Sequence, residues 1–66
     1  MKNNIRIERA IMNITQGDLA ELTQVSRQNI NAVETGKYLP STVLALKIAR
    51  VFGKPVESVF ILEETD

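Results

Sequence analysis

The side chains best suited to chemistry in this 66-residue chain lie between Ser26 and Asn31. Arg27 carries a rigid fork of donors that matches the two acceptors on the major-groove edge of guanine. Gln28 carries one donor and one acceptor, which match the edge of adenine. Asn31 follows Arg27 by one helical turn, which places both side chains on the same helix face within reach of a base or sugar. The chemistry open to these residues is therefore hydrogen bonding to nucleic acid.

The composition argues against other kinds of chemistry. The chain contains no Cys and no His, so it lacks the usual zinc ligands, the thiol nucleophile and the commonest general base. No catalytic cluster is found, and we expect neither a metal nor a cofactor. No apolar run approaches the roughly twenty residues that span a bilayer, and the N-terminus lacks an apolar signal region. We therefore expect a cytoplasmic protein that is not an enzyme and does not bind membranes.

The charge is unevenly distributed along the chain. The formal net charge of +0, from 8 basic and 8 acidic residues, taken alone argues against a nucleic-acid partner. However, residues 1–56 hold 8 basic and 4 acidic side chains, a balance of +4, and the other four acids lie in the last ten residues. We expect the acidic tail, residues 63–66, to point away from phosphates. It is either a solvated end or a regulatory segment.

Two short helices must position the polar residues. Thr15 with Asp18, and Ser26 with Asn29, have the spacing of helix-capping pairs, and the two helix starts are only eleven residues apart. Val25 lies in the tight turn between the helices. The apolar face of the first helix comprises Leu19, Ala20 and Leu22, and that of the second comprises Ile30 and Val33.

Three further helices complete an all-α fold of a single domain, residues 1–66. The first runs from about Asn4 to Met12. Ser41 caps a mostly buried fourth helix that ends at Gly53, and Pro55 opens a short fifth helix through about Val59. The apolar residues of the fourth helix are Val43, Leu44, Leu46, Ile48, Ala49, Val51 and Phe52. The apolar run at 60–62 is compatible with a short strand.

The segment from Thr15 to Pro40 resembles the helix-turn-helix domain of Cro/cI-type phage repressors and of regulators of the xenobiotic-response-element class. The residues that carry the resemblance are Thr15-Gln16, Leu19-Ala20, Val25-Ser26-Arg27-Gln28, Ile30, Glu34-x-Gly36-Lys37 and Pro40-Ser41. The resemblance implies a compact five-helix domain like that of lambda repressor, with the helix-turn-helix at about 16–34. Some small regulators of this class carry a C-terminal strand, here at 60–62, that pairs with the residues before the first helix, here 1–3. It implies a repressor that binds a double-stranded DNA operator as a homodimer. An antitoxin or anti-regulator that binds a partner protein is the alternative.

The resemblance also assigns roles to particular residues. Base contacts fall to Arg27, Gln28 and Asn31, and phosphate contacts to Gln16, Ser26, Lys37 and Tyr38. Other interpretations stay open: Arg27 contacts phosphate only, Gln16 is a solvated helix former, or Tyr38 packs on Pro40. Arg9 and Glu34 match positions that form a salt bridge between the first helix and the groove-facing helix in many relatives.

Three features depart from the pattern of that family. Gln24 stands where Gly is common and must accept positive φ or open the turn. Gly17 lies inside the second helix at a cost of roughly 1 kcal/mol relative to Ala. Ile7 and Ile11 fall on a face that is often charged, whereas Glu8 falls where an apolar residue is usual. Either the first helix is rotated toward the core, which we favour, or it exposes an apolar stripe for a partner.

The C-terminal residues Val56, Val59, Phe60 and Leu62 are the expected contacts of a homodimer. A dimer would place two groove-facing helices on one face of the DNA, and it would add stability to a small core. The alternative is that Val56, Val59 and Phe60 fold back onto the fourth helix.

Overall fold

The computed structural model describes residues 1–66 as five helices and a two-stranded antiparallel sheet. The elements in chain order are β1 (Lys2–Asn3), α1 (Ile5–Met12), α2 (Gln16–Thr23), α3 (Arg27–Glu34), α4 (Thr42–Phe52), α5 (Val56–Val59) and β2 (Phe60–Ile61). The predicted five-helix fold and its terminal strand pair are both confirmed. No helix combines the length and the apolar composition needed to cross a membrane.

Helices α2, α3 and α4 begin at capping residues that the sequence identified. The Thr15 hydroxyl accepts a hydrogen bond from the Asp18 backbone, and the Asp18 carboxylate accepts one from the Thr15 backbone, which completes a capping box. Ser26 and Ser41 accept in the same way from the third residue of their helices. These caps fix where each helix starts and therefore which residues face outward.

The terminal sheet ties the two ends of the chain together. Lys2 is paired with Ile61 and Asn3 with Phe60. Beyond the sheet, the amino group of Met1 lies 3.2 Å from a Glu63 carboxylate oxygen and 3.0 Å from one of Asp66. The acidic tail therefore contacts the start of the chain.

Eleven apolar side chains form a single buried core, drawn from all five helices and from β2: Ile5, Leu19, Ala20, Ile30, Val33, Leu44, Ile48, Ala49, Phe52, Val59 and Phe60. Leu22, Val43 and Leu46 were expected in the core, but they are more than half exposed. On α2 the reason is helical phase. Leu19, Ala20 and Thr23 share the inner face, and at about 100° per residue Leu22 falls beside it.

The expectation that helix α1 is rotated to bury Ile7 and Ile11 is wrong. Ile7 and Ile11 are 58% and 68% exposed, whereas Glu8 is buried at 6% and accepts a hydrogen bond from Lys54 at 2.7 Å. The ion pair satisfies the carboxylate, so the core tolerates it on the inner side of α1. The apolar stripe of α1 is therefore on the surface.

Candidate nucleic-acid interface

The turn between α2 and α3 sets the angle at which α3 leaves the core. Gln24 ends α2 with a φ of 62°, so of the two alternatives at this position, a positive φ or an opened turn, the structure shows the positive φ. Val25 donates its backbone N–H to the carbonyl of Ala20 at 3.0 Å, which closes the turn. On α3 itself, Ile30 and Val33 are buried, so the opposite face of the helix is directed to solvent.

The outer face of α3 is entirely polar. Arg27, Gln28 and Asn31 are exposed, and together with Gln16 they line an open groove of about 330 Å³ that contains no hydrophobic side chain. The structure thus brings the three predicted base-contacting residues to one surface beside the start of α2. All three can form hydrogen bonds with the edges of bases.

A chain of hydrogen bonds runs from α1 to this groove. Arg9 donates through Nε and Nη2 to the two carboxylate oxygens of Glu34, at 2.8 and 3.1 Å. Gln16 Nε2 donates to Glu34 Oε2 at 3.0 Å and to Asn31 Oδ1 at 3.1 Å. The expected pairing of Arg9 with Glu34 is therefore present in the structure. It is extended through Gln16 to a residue at the surface of the groove.

The electrostatics of this chain keep Glu34 ionised. Burial alone would raise the pKa of Glu34, but the hydrogen bonds from Arg9 and Gln16 and the positive charge of Arg9 outweigh it. The net effect is a pKa below the ordinary value. The hydrogen bond to Glu34 in turn raises the pKa of Arg9. The pair is thus a fixed charge couple that anchors α3 to α1.

A second hollow lies at the start of α2 and suits an anion. It encloses about 570 Å³ and is lined by Arg9, Ile14, Thr15, Gln16, Gly17 and Arg27. The backbone N–H groups of Gln16 and Gly17 have no acceptor within the chain. Free N–H groups and the positive end of the helix dipole both favour negative charge at such a position.

The other residues predicted to contact phosphate lie near the two ends of α3. The hydroxyl of Ser26 is engaged by the Asn29 backbone at 3.1 Å. Lys37 is exposed, forms no ion pair and follows Gly36, whose φ of 79° turns the chain after α3. Tyr38 is about half exposed and lines a small cavity of about 50 Å³ whose wall also includes Pro40. Part of Tyr38 is therefore available to solvent.

The ion pairs leave a surplus of positive charge in residues 1–56. Glu8 and Glu34 are neutralised by Lys54 and Arg9. No other basic side chain forms an ion pair, which leaves Lys2, Arg6, Arg27, Lys37, Lys47 and Arg50 unpaired. These six cations exceed the two remaining acids of residues 1–56, Asp18 and Glu21. The surplus favours contact with a polyanion.

Sequence reasoning missed two features of the site. It took Gln16 as a phosphate contact or a solvated helix former, whereas the structure shows its side chain bonded to Asn31 and Glu34. These contacts join residues 15 and 18 positions apart, so no local pattern announces them. Asn29, on the first turn of α3, has a buried side-chain oxygen without a hydrogen-bond partner. Only its capping relation to Ser26 was visible in the sequence.

The structure divides the residues that were expected to form a dimer interface. Val59 is 0% exposed and Phe60 8% exposed, and both belong to the core of the chain. Val56 is partly buried and packs against that core. Leu62 is 77% exposed. Of the four residues, Leu62 is therefore the one most accessible to a second copy.

Comparisons with known proteins agree with this geometry. A family model described as helix-turn-helix matches residues 5–59. An uncharacterised HTH-type transcriptional regulator of Methanocaldococcus jannaschii is 52% identical over 66 residues, which cover the whole of both chains. A regulator of Archaeoglobus fulgidus described in the same words is 46% identical over all of this chain and 93% of its own. The Bacillus subtilis regulator YgzD, also described so, is 45% identical over 97% of each chain.

Proposed function

The chain belongs to the Cro/cI-type helix-turn-helix family of DNA-binding transcriptional regulators, and from this premise we propose that it is a repressor. It binds a two-fold operator in double-stranded DNA as a homodimer and reads the major groove with α3. Its place of action is the cytoplasm, where the DNA of bacteria and archaea lies. Bound across a promoter, it would exclude the polymerase.

The observation that carries this proposal is the division of α3 into two faces. Ile30 and Val33 are buried and fix the helix to the core, whereas Arg27, Gln28 and Asn31 are exposed on the opposite side. Polar side chains with paired donors and acceptors on an exposed helix can reach base edges without moving the backbone. A surface that was merely solvated would not require the hydrogen-bond chain that holds Asn31 in place.

Contacts to phosphate are proposed at both ends of the helix-turn-helix. The free N–H groups of Gln16 and Gly17 would bind one phosphate, and the ammonium of Lys37 another. Ser26 and Tyr38 would add hydroxyl contacts. Both amide protons of Gln16 are already donated within the protein, so its part in phosphate binding is proposed to be through the backbone.

One observation favours a second candidate function. Ile7 and Ile11 form an exposed apolar stripe on α1, on the surface rather than in the core. Such a stripe suits a protein partner, as an antitoxin or anti-regulator would need. The antitoxin role would be favoured if a neighbouring gene encoded a toxin-like protein and that protein co-purified with this chain. DNA binding would then serve autoregulation.

The test is a binding series on a selected operator and on random DNA. Replacing Arg27 or Gln28 by Ala should cost about 1–3 kcal/mol on the operator and relax the preference for one base. Lys37→Ala should weaken binding to both DNAs alike and lower the salt slope by roughly one.

Arg50→Ala serves as the control, because it removes the same charge as Arg27→Ala from the exposed surface of α4. If Arg50→Ala lost as much operator affinity as Arg27→Ala, or if Gln28→Ala lost equally on operator and random DNA, α3 would not be the reading helix.

A further inference from the structure

We propose that Gln16 fixes the side chain of Asn31 as a hydrogen-bond donor toward DNA, so that the base opposite Asn31 is guanine. The inference rests on the proposed function, because it concerns how the same α3 surface chooses a base. Gln16 is a positioning residue in this scheme, and Asn31 is the residue that touches the base.

The polarity of the hydrogen-bond chain is set by groups that cannot reverse their roles. The Arg9 guanidinium only donates, and the ionised Glu34 carboxylate only accepts. The atom of Gln16 that lies 3.0 Å from Glu34 Oε2 must therefore be the amide nitrogen. The same nitrogen lies 3.1 Å from Asn31. Asn31 must turn its oxygen toward Gln16, and this assignment does not depend on seeing hydrogens.

The consequence for Asn31 is a directed amide. Its Oδ1 accepts from Gln16, whereas its Nδ2 has no partner within the chain. Asn31 is exposed and lines the polar groove with Arg27 and Gln28. Both protons of Gln16 Nε2 are used, one on Glu34 and one on Asn31. If Asn31 turned over, its Nδ2 would face this nitrogen, which donates and cannot accept. The groove is offered two N–H donors at this point.

Guanine is the base whose major-groove edge can accept hydrogen bonds from two donors. It presents N7 and O6, both acceptors. The usual pairing of Asn with adenine needs the side-chain oxygen to accept from N6, and that oxygen is turned toward Gln16. Cytosine presents only a donor, N4–H₂, so it has no acceptor for the Asn31 amide protons. Thymine offers a single acceptor, O4, and ranks second.

The experiment is selection from randomised duplex DNA, followed by sequencing, with the wild-type protein and three variants. Asn31→Ala locates the position that Asn31 reads, because the preference there should disappear. Gln16→Met keeps the length of the side chain and removes its donors, so the preference for guanine over adenine at that position should fall about tenfold. Asn31→Asp replaces the donor by an acceptor, so cytosine should replace guanine at the same position.

Gln28→Met is the matched control, because Gln28 lies in the same groove and forms no hydrogen bond within the chain. It should change a different position and leave the guanine in place. A wild-type protein that enriches no sequence would contradict the proposed function itself. An enriched operator with adenine at the Asn31 position, or with a guanine that Gln16→Met does not affect, would overturn the inference and leave the proposed function standing.

A measurement without DNA tests the positioning role directly. In the free protein, the side-chain amide protons of Gln16 should exchange with water more slowly than those of exposed Gln28, and Asn31→Ala should accelerate this exchange. Equal exchange at Gln16 and Gln28 in the wild-type protein would overturn the inference whatever the DNA selection showed.

Discussion

Arg9 and Glu34 join α1 to α3 through a two-point contact that is largely withdrawn from solvent. Their side chains are only 17% and 10% exposed. Arg9 also donates to the carbonyl of Ile14 at 3.2 Å, and Glu34 accepts from Gln16. Removing one member would leave the other charge partly buried without its partner, which costs more than the loss of an exposed pair. This pair is the strongest polar connection between α3 and the rest of the molecule.

The contribution of Glu34 to stability should depend on pH. The pKa of Glu34 is lower in the folded chain than its ordinary value of 4.5, as the bonds from Arg9 and Gln16 outweigh burial. Its contribution to stability is therefore complete above the ordinary value and is lost as pH falls through the lowered one. Glu34→Gln should cost about 1–3 kcal/mol of unfolding free energy near pH 7. Urea denaturation measures this cost.

The gap between wild type and Glu34→Gln should narrow when the same titration is repeated at about pH 3. The other carboxylates are common to both proteins, so their effects cancel in the difference. A gap that stays constant from neutral to acid pH would show that the charge of Glu34 does not stabilise the fold.

Single residues differ in how far the sequence foretells them. The positive φ of Gln24 was one of two outcomes that the resemblance left open, because Gly is common at this turn position in the family; the structure shows that Gln24 adopts the left-handed conformation. The Arg9–Glu34 pair came from the resemblance. The partners of Gln16 were not foreseen, because they depend on the distance at which α2 and α3 pack, and a long polar side chain can reach several neighbours from one backbone position.

At the scale of elements, the starts and ends of helices were predictable, whereas the rotation of α1 was not. Capping residues and left-handed glycines act locally, so sequence alone reveals them. The face that α1 buries is decided by distant partners: Lys54 takes the carboxylate of Glu8, and Glu34 takes Arg9. Both ion pairs lie on the inner side and hold Ile7 and Ile11 outward. An apolar pattern on so short a helix does not outweigh two such pairs.

A prediction about α2 follows from Gly17. A Cβ added there would meet only the Thr15 hydroxyl oxygen, at 3.6 Å, which is ordinary contact, and its φ is not in the left-handed region. Gly17→Ala should therefore raise the unfolding free energy by about 1 kcal/mol, the difference in helix propensity. Thermal or urea unfolding would measure the gain.

The matched control is Gly36→Ala. The space around Gly36 is also open, but its φ of 79° disfavours any residue with a Cβ. This variant should be destabilised by about 1 kcal/mol. If both variants shifted in the same direction, helix propensity and backbone conformation would not be the factors that separate the two glycines.

On the scale of the whole molecule, charge and apolar surface are arranged in separate regions. All the unpaired cations except Lys2 lie on or between the helices, whereas the tail acids lie beside the chain start, where Glu63 and Asp66 contact Met1. The sequence foresaw this division of charge. It left open whether Val59 and Phe60 fold back onto α4 or contact a second copy, and the structure places both in the core. A chain of 66 residues forms only a small core, so it uses apolar side chains from its last helix and strand.

The last prediction is that the chain dimerises through its C-terminal end, with Leu62 as the central contact. Leu62 is 77% exposed and Ile61 40% exposed, directly after the buried Phe60, so an apolar edge is continuous with the core. In a two-fold contact here, each of these side chains would contribute once from each subunit. Such a dimer would hold its two α3 helices about 34 Å apart on the DNA. Leu62→Glu should weaken the dimer about tenfold or more, since burying one Leu contributes about 1.5–3 kcal/mol.

Sedimentation at micromolar concentration should show wild-type chains near twice 7.4 kDa and a shift toward monomer in Leu62→Glu, with weaker operator binding. Ile11→Glu is the comparison variant, because Ile11 is also well exposed, at 68%, but lies on α1. If Ile11→Glu dissociates the dimer and Leu62→Glu does not, the dimer interface is formed by α1 and the prediction for Leu62 is wrong. A wild-type monomer that binds a half-site with full affinity would instead rule out the dimer, because one α3 helix would then supply all of the recognition.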